Sequence, residues 1–182
     1  MAAAELTPFG MTLPRLHAAV RVVALVSLLV LVQVAVVSQL RVDRISADVL
    51  LLISVACGVA AGPDRGALVG FLAGLGYDIF LQTPLGLSAL VYCVVAYGVG
   101  LFQLPLATHP RWWRAASVTV ASTAGVLLWV GMALVLDQDQ LLGMPILRTT
   151  LIVTIINGVL SLPALAAASW AFAPLASSRR LL

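Results

Sequence analysis

Two carboxylates, Asp48 and Asp78, border long apolar segments, and an ionisable group at that position marks either a functional site or a structural cap. Asp48 lies 14 residues before Gly62 and Asp78 lies 13 residues after Arg65. The intervening Gly62-Pro63-Asp64-Arg65-Gly66 has the residue types of a tight turn. An antiparallel helix pair about that turn brings the two acids to similar depth, near the outer face. Paired acids at one depth have the makings of a proton relay or a cation site. The structural alternative, which we favour, has two parts. Asp48 opens its helix in Ser46-Ala47-Asp48, where a carboxylate suits the positive helix end, and Asp78 bonds to Arg44, Arg148 or outer-loop amides.

Other reactive groups are few. The chain has one glutamate, Glu5, and no lysine, and its histidines, His17 and His109, have no carboxylate or cysteine neighbours that would make a ligand set. Cys57 and Cys93 fall inside apolar runs without CxxC spacing and read as small packing residues. There is no P-loop, HExxH or dinucleotide fingerprint. We therefore expect no enzymatic activity, no cofactor and no metal. Asn157, one turn before Ser161 and close to Pro163, reads as an interhelix hydrogen bond beside a bend.

The elements that must position these groups are membrane helices. A chain of 182 residues that is 62% hydrophobic, 9% charged and has a mean hydropathy of +1.12 cannot hide its apolar surface in one soluble core. Six apolar stretches, about 20–38, 46–61, 66–81, 85–104, 115–136 and 149–172, use most of the chain and leave one membrane domain, residues 1–182. In lipid, backbone groups must be satisfied internally, so the expected fold is an all-α six-helix bundle. The second and third stretches are short, and a re-entrant pair is the alternative to a spanning hairpin. Arg15 and Arg21 before the first run resemble a secretory signal, but the run is long and lacks a small-x-small site, so an uncleaved span is expected.

The net charge of +3 is spread over ten arginines that read as topology signals and not as a nucleic-acid surface. A cytoplasmic N-terminus leaves seven of them inside and Arg41, Arg44 and Arg148 outside, which predicts both termini cytoplasmic. Trp112 and Trp113, between Arg111 and Arg114, suit the headgroup zone. Gly66, Gly70, Gly74 and Asp78, each four residues apart, share one helix face that admits close approach of another helix. An intrachain contact is the favoured use of that face, and a partner protein the other.

The segment from Ala47 to Phe102 resembles the rod shape-determining protein MreD family of bacteria. It has an aspartate opening an aliphatic helix (Asp48), a Gly-Pro turn (Gly62, Pro63), then G-x-x-x-G-x-x-x-D (Gly70, Gly74, Asp78) and P-L-G-L from Pro84 through Gly86 to Leu87. Gln82 and Thr83 stand where the family often has Gly or Ser. The resemblance implies a non-catalytic protein of the cytoplasmic membrane in the machinery that elongates the lateral cell wall. Its implied partners are an MreC-like scaffold, a RodA-type polymerase with its penicillin-binding transpeptidase, MreB filaments indirectly, and membrane lipid. It also implies a fold similar to the substrate-binding subunits of energy-coupling-factor vitamin transporters, which supplies the rival function. Those subunits commonly present Ala-x-x-x-Ala on their first helix, whereas here Ala56 and Ala60 lie on the second.

Overall fold

The computed structural model describes residues 13–37, 48–80, 85–102, 109–135 and 146–179, and these form six α-helices. They are α1 (Leu13–Val32, continued by a wider π-helical turn, Gln33–Val37), α2 (Val49–Ala61), α3 (Pro63–Asp78), α4 (Leu87–Gly100), α5 (Arg111–Val135) and α6 (Ile146–Arg179). All six overlap the expected stretches.

The arrangement is a hub and a ring. Helices α1, α3, α4, α5 and α6 pack in a closed circuit, each against its two neighbours, and all five touch α2 at the centre. Every residue of α2 from Leu50 to Val59 is buried. A helix that is apolar all round needs such enclosure. Large apolar side chains point outward around the ring, among them Val20, Phe71, Val94, Val120 and Val159. Because interior and surroundings are equally apolar, association has to come from close packing and interhelix hydrogen bonds.

Local sequence sets the helix boundaries. The reversal between α2 and α3 takes a single residue, Gly62 at φ 98°, a conformation that side chains with a Cβ rarely adopt. Pro63 then starts α3, where its missing N–H costs nothing, and Asp64 occupies the favourable first turn. Pro63, Asp64 and Arg65 thus belong to the helix and not to the expected turn. Similarly, Trp112 and Trp113 lie inside the first turn of α5 instead of preceding it. Helix α6 continues unbroken through Pro163 and Pro174 to Arg179, beyond the expected end near 172.

Three helices contain stretches long and apolar enough to cross a membrane: Leu16–Ala35 in α1, Arg111–Met132 in α5 and Thr150–Pro174 in α6. Helices α2, α3 and α4 have 13, 16 and 14 residues. At 1.5 Å per residue they reach about 20, 24 and 21 Å, short of the ~30 Å hydrocarbon layer.

Candidate functional site

Both carboxylates serve the ends of helices. Asp48 is the N-cap of α2, and its Oδ1 accepts the Leu51 N–H at 2.9 Å. Its other oxygen, Oδ2, accepts the hydroxyl of Tyr92, which is buried in α4. A third contact fixes the same helix start: the Gln33 Oε1 at the end of α1 accepts the Val49 N–H at 3.2 Å.

Asp78, fully buried at the end of α3, caps a neighbouring helix. Its Oδ2 accepts the backbone N–H groups of Gly86 at 2.8 Å, Ser88 at 3.1 Å and Ala89 at 3.4 Å, and Oδ1 lies 3.3 Å from the Ser88 nitrogen. These are the orphan donors of the first turn of α4, which carries no acidic residue of its own. Gly86, at φ 98°, lets the chain turn so that they converge on one oxygen. Of the partners expected for Asp78, the loop amides are therefore present, whereas Arg44 and the Arg148 side chain lie outside the described residues, as does Pro84.

Tyr92 lies one helical turn beyond Ser88, so the two carboxylates meet opposite ends of one short α4 segment. Ser88 extends the cluster, its Oγ accepting the indole N–H of Trp129 on α5 at 3.3 Å. This network binds α2, α3, α4 and α5 together at one end of the bundle.

The glycine face of α3 points inward. A Cβ placed on Gly74 would stand 2.4 Å from the Ala89 backbone, one on Gly70 2.6 Å from the Tyr92 carbonyl oxygen, and one on Gly66 2.5 Å from Gly58 Cα. Backbone thus packs directly against α4 and α2, and the face is filled within the chain instead of being open to a partner. Gly58 and Gly100 make equally close approaches, to the Ala96 oxygen at 2.3 Å and to Pro63 Cα at 2.5 Å.

Asn157 lies in a polar seam between α5 and α6. Its Nδ2 donates to Ser122 Oγ at 3.0 Å, and one turn away Thr123 and Thr154 share a hydrogen bond of 2.9 Å. The Asn157 Oδ1 has no partner among the described residues. Between α1 and α3 runs a cleft of about 460 Å³, lined by Val22, Val26, Val30, Leu72, Gly76 and Phe80 among others, with Ser27 the one polar side chain among the described residues that line it.

Chemically, this set holds helices and offers little else. The Asp48 and Asp78 oxygens are occupied by donors, and among the described residues no group of three His, Cys, Asp or Glu side chains converges on a metal position. Tyr92, Ser88, Trp129 and Gln33 were not singled out by sequence. The signal available for Tyr92 was a phenol inside an apolar run, since a buried hydroxyl needs a partner.

The comparison with protein families decides what this helical scaffold belongs to. The family model described as rod shape-determining protein MreD matches residues 15–166. The chain belongs to the MreD family. The match runs from the start of α1 into α6, so it takes in the hub, the whole ring and both carboxylates. Membership ties the protein to rod cell shape and cell elongation, and its long apolar helices to the membrane. No curated protein and no solved structure matches the chain.

Proposed function

We propose that this protein is a non-catalytic membrane component of the cell-wall elongation complex, which supports rod shape by holding an MreC-like scaffold beside a RodA-type polymerase and its penicillin-binding transpeptidase. The observation that carries this reading is the family match over residues 15–166. The architecture supports it: polar groups are used to join helices, and the outward surface is an apolar belt suited to lipid and to single-span partners. The rival reading, a vitamin-binding transporter subunit, is supported less, because the α1–α3 cleft has almost none of the polar groups that orient such a ligand.

In this proposal all six helices cross the cytoplasmic membrane and both termini are cytoplasmic. The arginine bias supports that orientation. The shorter α3 and α4 cross by local thinning of the bilayer, and the equally short α2 is enclosed by the other five helices.

Affinity purification from membranes in mild detergent tests the function. Recovery of wall-synthesis proteins is expected, and recovery of an ATPase-coupled transporter module instead would overturn it. Single cysteines at Asp64 and Asp139, in a chain without Cys57 and Cys93, test the topology. An impermeant thiol reagent should label only the Asp139 site from outside, and labelling at Asp64 would defeat the six-span arrangement.

A further inference from the structure

The end of the bundle away from Asp48 and Asp78 is cationic and aromatic. Helix α5 runs antiparallel to α6, with Ser122 opposite Asn157 and Thr123 opposite Thr154, so its first turn lies beside the last third of α6. There Arg21 donates to the Trp170 carbonyl at 3.2 Å and its guanidinium lies 4.8 Å from the Trp170 ring centre, while Arg65 lies 5.9 Å from the ring of Phe172. Arg21 and Arg65 are thereby held against α6. Arg111 and Arg114, in the first turn of α5, have no such ring or carbonyl contact among the described residues.

Two observations at this turn call for an anion. Helix α5 has no acid in its first turn yet places two guanidinium groups beside its own positive end, an arrangement that is unfavourable without a counter-charge. The Nε of Arg114 is buried and has no acceptor among the described residues. The one described carboxylate at this end is Asp64, on α3. Beside the arginines, Trp112 and Trp113 stack with ring centres 4.9 Å apart and remain 63% and 48% exposed, as indoles at a headgroup boundary do. Exposed Leu101 and Phe102 close α4 at the same end, so whatever reaches the arginines also meets apolar surface.

We propose that the foot of α5 is a binding site for the phosphate of an anionic phospholipid, with Arg111 and Arg114 as its donors and Trp112 and Trp113 flanking the glycerol region. The surrounding apolar belt selects a lipid over a nucleic acid or a free acidic peptide, because acyl chains cover that belt while the headgroup reaches the guanidinium groups. The site is independent of the elongation role and stands or falls separately from it.

The test uses the full chain, delipidated in detergent, with phosphatidylglycerol or phosphatidylcholine added, read by native mass spectrometry and thermal melting. Phosphatidylglycerol should be retained and raise the melting temperature, phosphatidylcholine should do neither, and added salt should weaken the effect. The R111Q/R114Q variant should bind phosphatidylglycerol about thirtyfold more weakly, as removal of two interfacial cations implies, while melting without lipid no lower than the wild-type chain does. Equal retention of the two lipids, or unchanged binding by the variant, overturns the site, and equal protection by inorganic phosphate overturns its assignment to a lipid. Should that variant fail to fold, brominated phosphatidylglycerol must quench tryptophan emission of the wild-type chain more than brominated phosphatidylcholine does, with the difference lost in W112F/W113F, and equal quenching by the two lipids refutes the proposal.

Discussion

Replacement of Asp78 separates a capping carboxylate from one that carries protons or ions. In the structure its Oδ2 receives three backbone N–H groups within 3.4 Å, all from the start of α4. Hydrogen bonds to a charged partner contribute about 1.5–3 kcal/mol each, and a buried amide left unsatisfied costs about 1–3 kcal/mol. Asp78→Asn keeps an oxygen that can face the three donors but loses the charge, and it turns an NH₂ toward the Ser88 nitrogen that now lies 3.3 Å from Oδ1. Losing charge assistance should cost about 2 kcal/mol. Asp78→Ala orphans the whole turn and should cost about 4 kcal/mol or more. At roughly 2–4 °C per kcal/mol for a chain of this size, the melting temperature in detergent should fall by about 4–8 °C for Asn and about 8–16 °C for Ala. A cap predicts this graded order, with purified yield following it. An Asn variant that melts like wild type, or one as damaged as the Ala variant, would refute the capping account.

Other substitutions probe the packing and the rest of the network. Gly74→Ala should destabilise by at least ~1–3 kcal/mol, since its Cβ falls 2.4 Å from the Ala89 backbone, whereas Gly131→Ala, with nothing near it, should melt at or slightly above wild type. Equal melting of the two variants would show that the α3–α4 approach is not tight. Tyr92→Phe leaves one Asp48 oxygen without its donor and should cost about 1–3 kcal/mol, read as a lower melting temperature that Asp48→Asn partly rescues in the double variant. Gly86→Ala, at φ 98° with open space around it, should cost about 1–2 kcal/mol by backbone strain alone, and an unchanged melt would show that the turn before α4 relaxes.

Much of this fold was legible because its strongest signals are local. Asp48 could be read as a helix opener from its place before an aliphatic run, and the four-residue spacing of Gly66, Gly70, Gly74 and Asp78 fixed a common face. What that face meets was not legible, because Ala89 and Tyr92 lie in a separate apolar run whose pairing depends on the tertiary arrangement. The same holds for α2 as the hub: lipid and protein interior select the same side chains, so composition cannot separate a helix facing lipid from one enclosed by five others. Residue types alone place Pro63 in the turn, but proline is favoured at the first helical position, and Gly62 accomplishes the reversal without it. The amide partners of Asp78 were anticipated only as a class, since backbone donors leave no trace in residue type.

The unequal helix lengths have a mechanical consequence for the surrounding bilayer. In the proposed six-span arrangement, α5 and α6, with 25 and 34 residues, present a tall apolar wall on one flank, while α3 and α4, with 16 and 14, present a low one on the other. A hydrocarbon layer of ~30 Å, which the first flank spans, overhangs the second by about 6–9 Å. Each ångström of that mismatch costs a fraction of a kcal/mol, so the deformation stores elastic energy along one side of the protein only. A neighbour with an equally thin margin shares the deformation when it settles there, and the membrane itself supplies a lateral force that acts before any side chains touch.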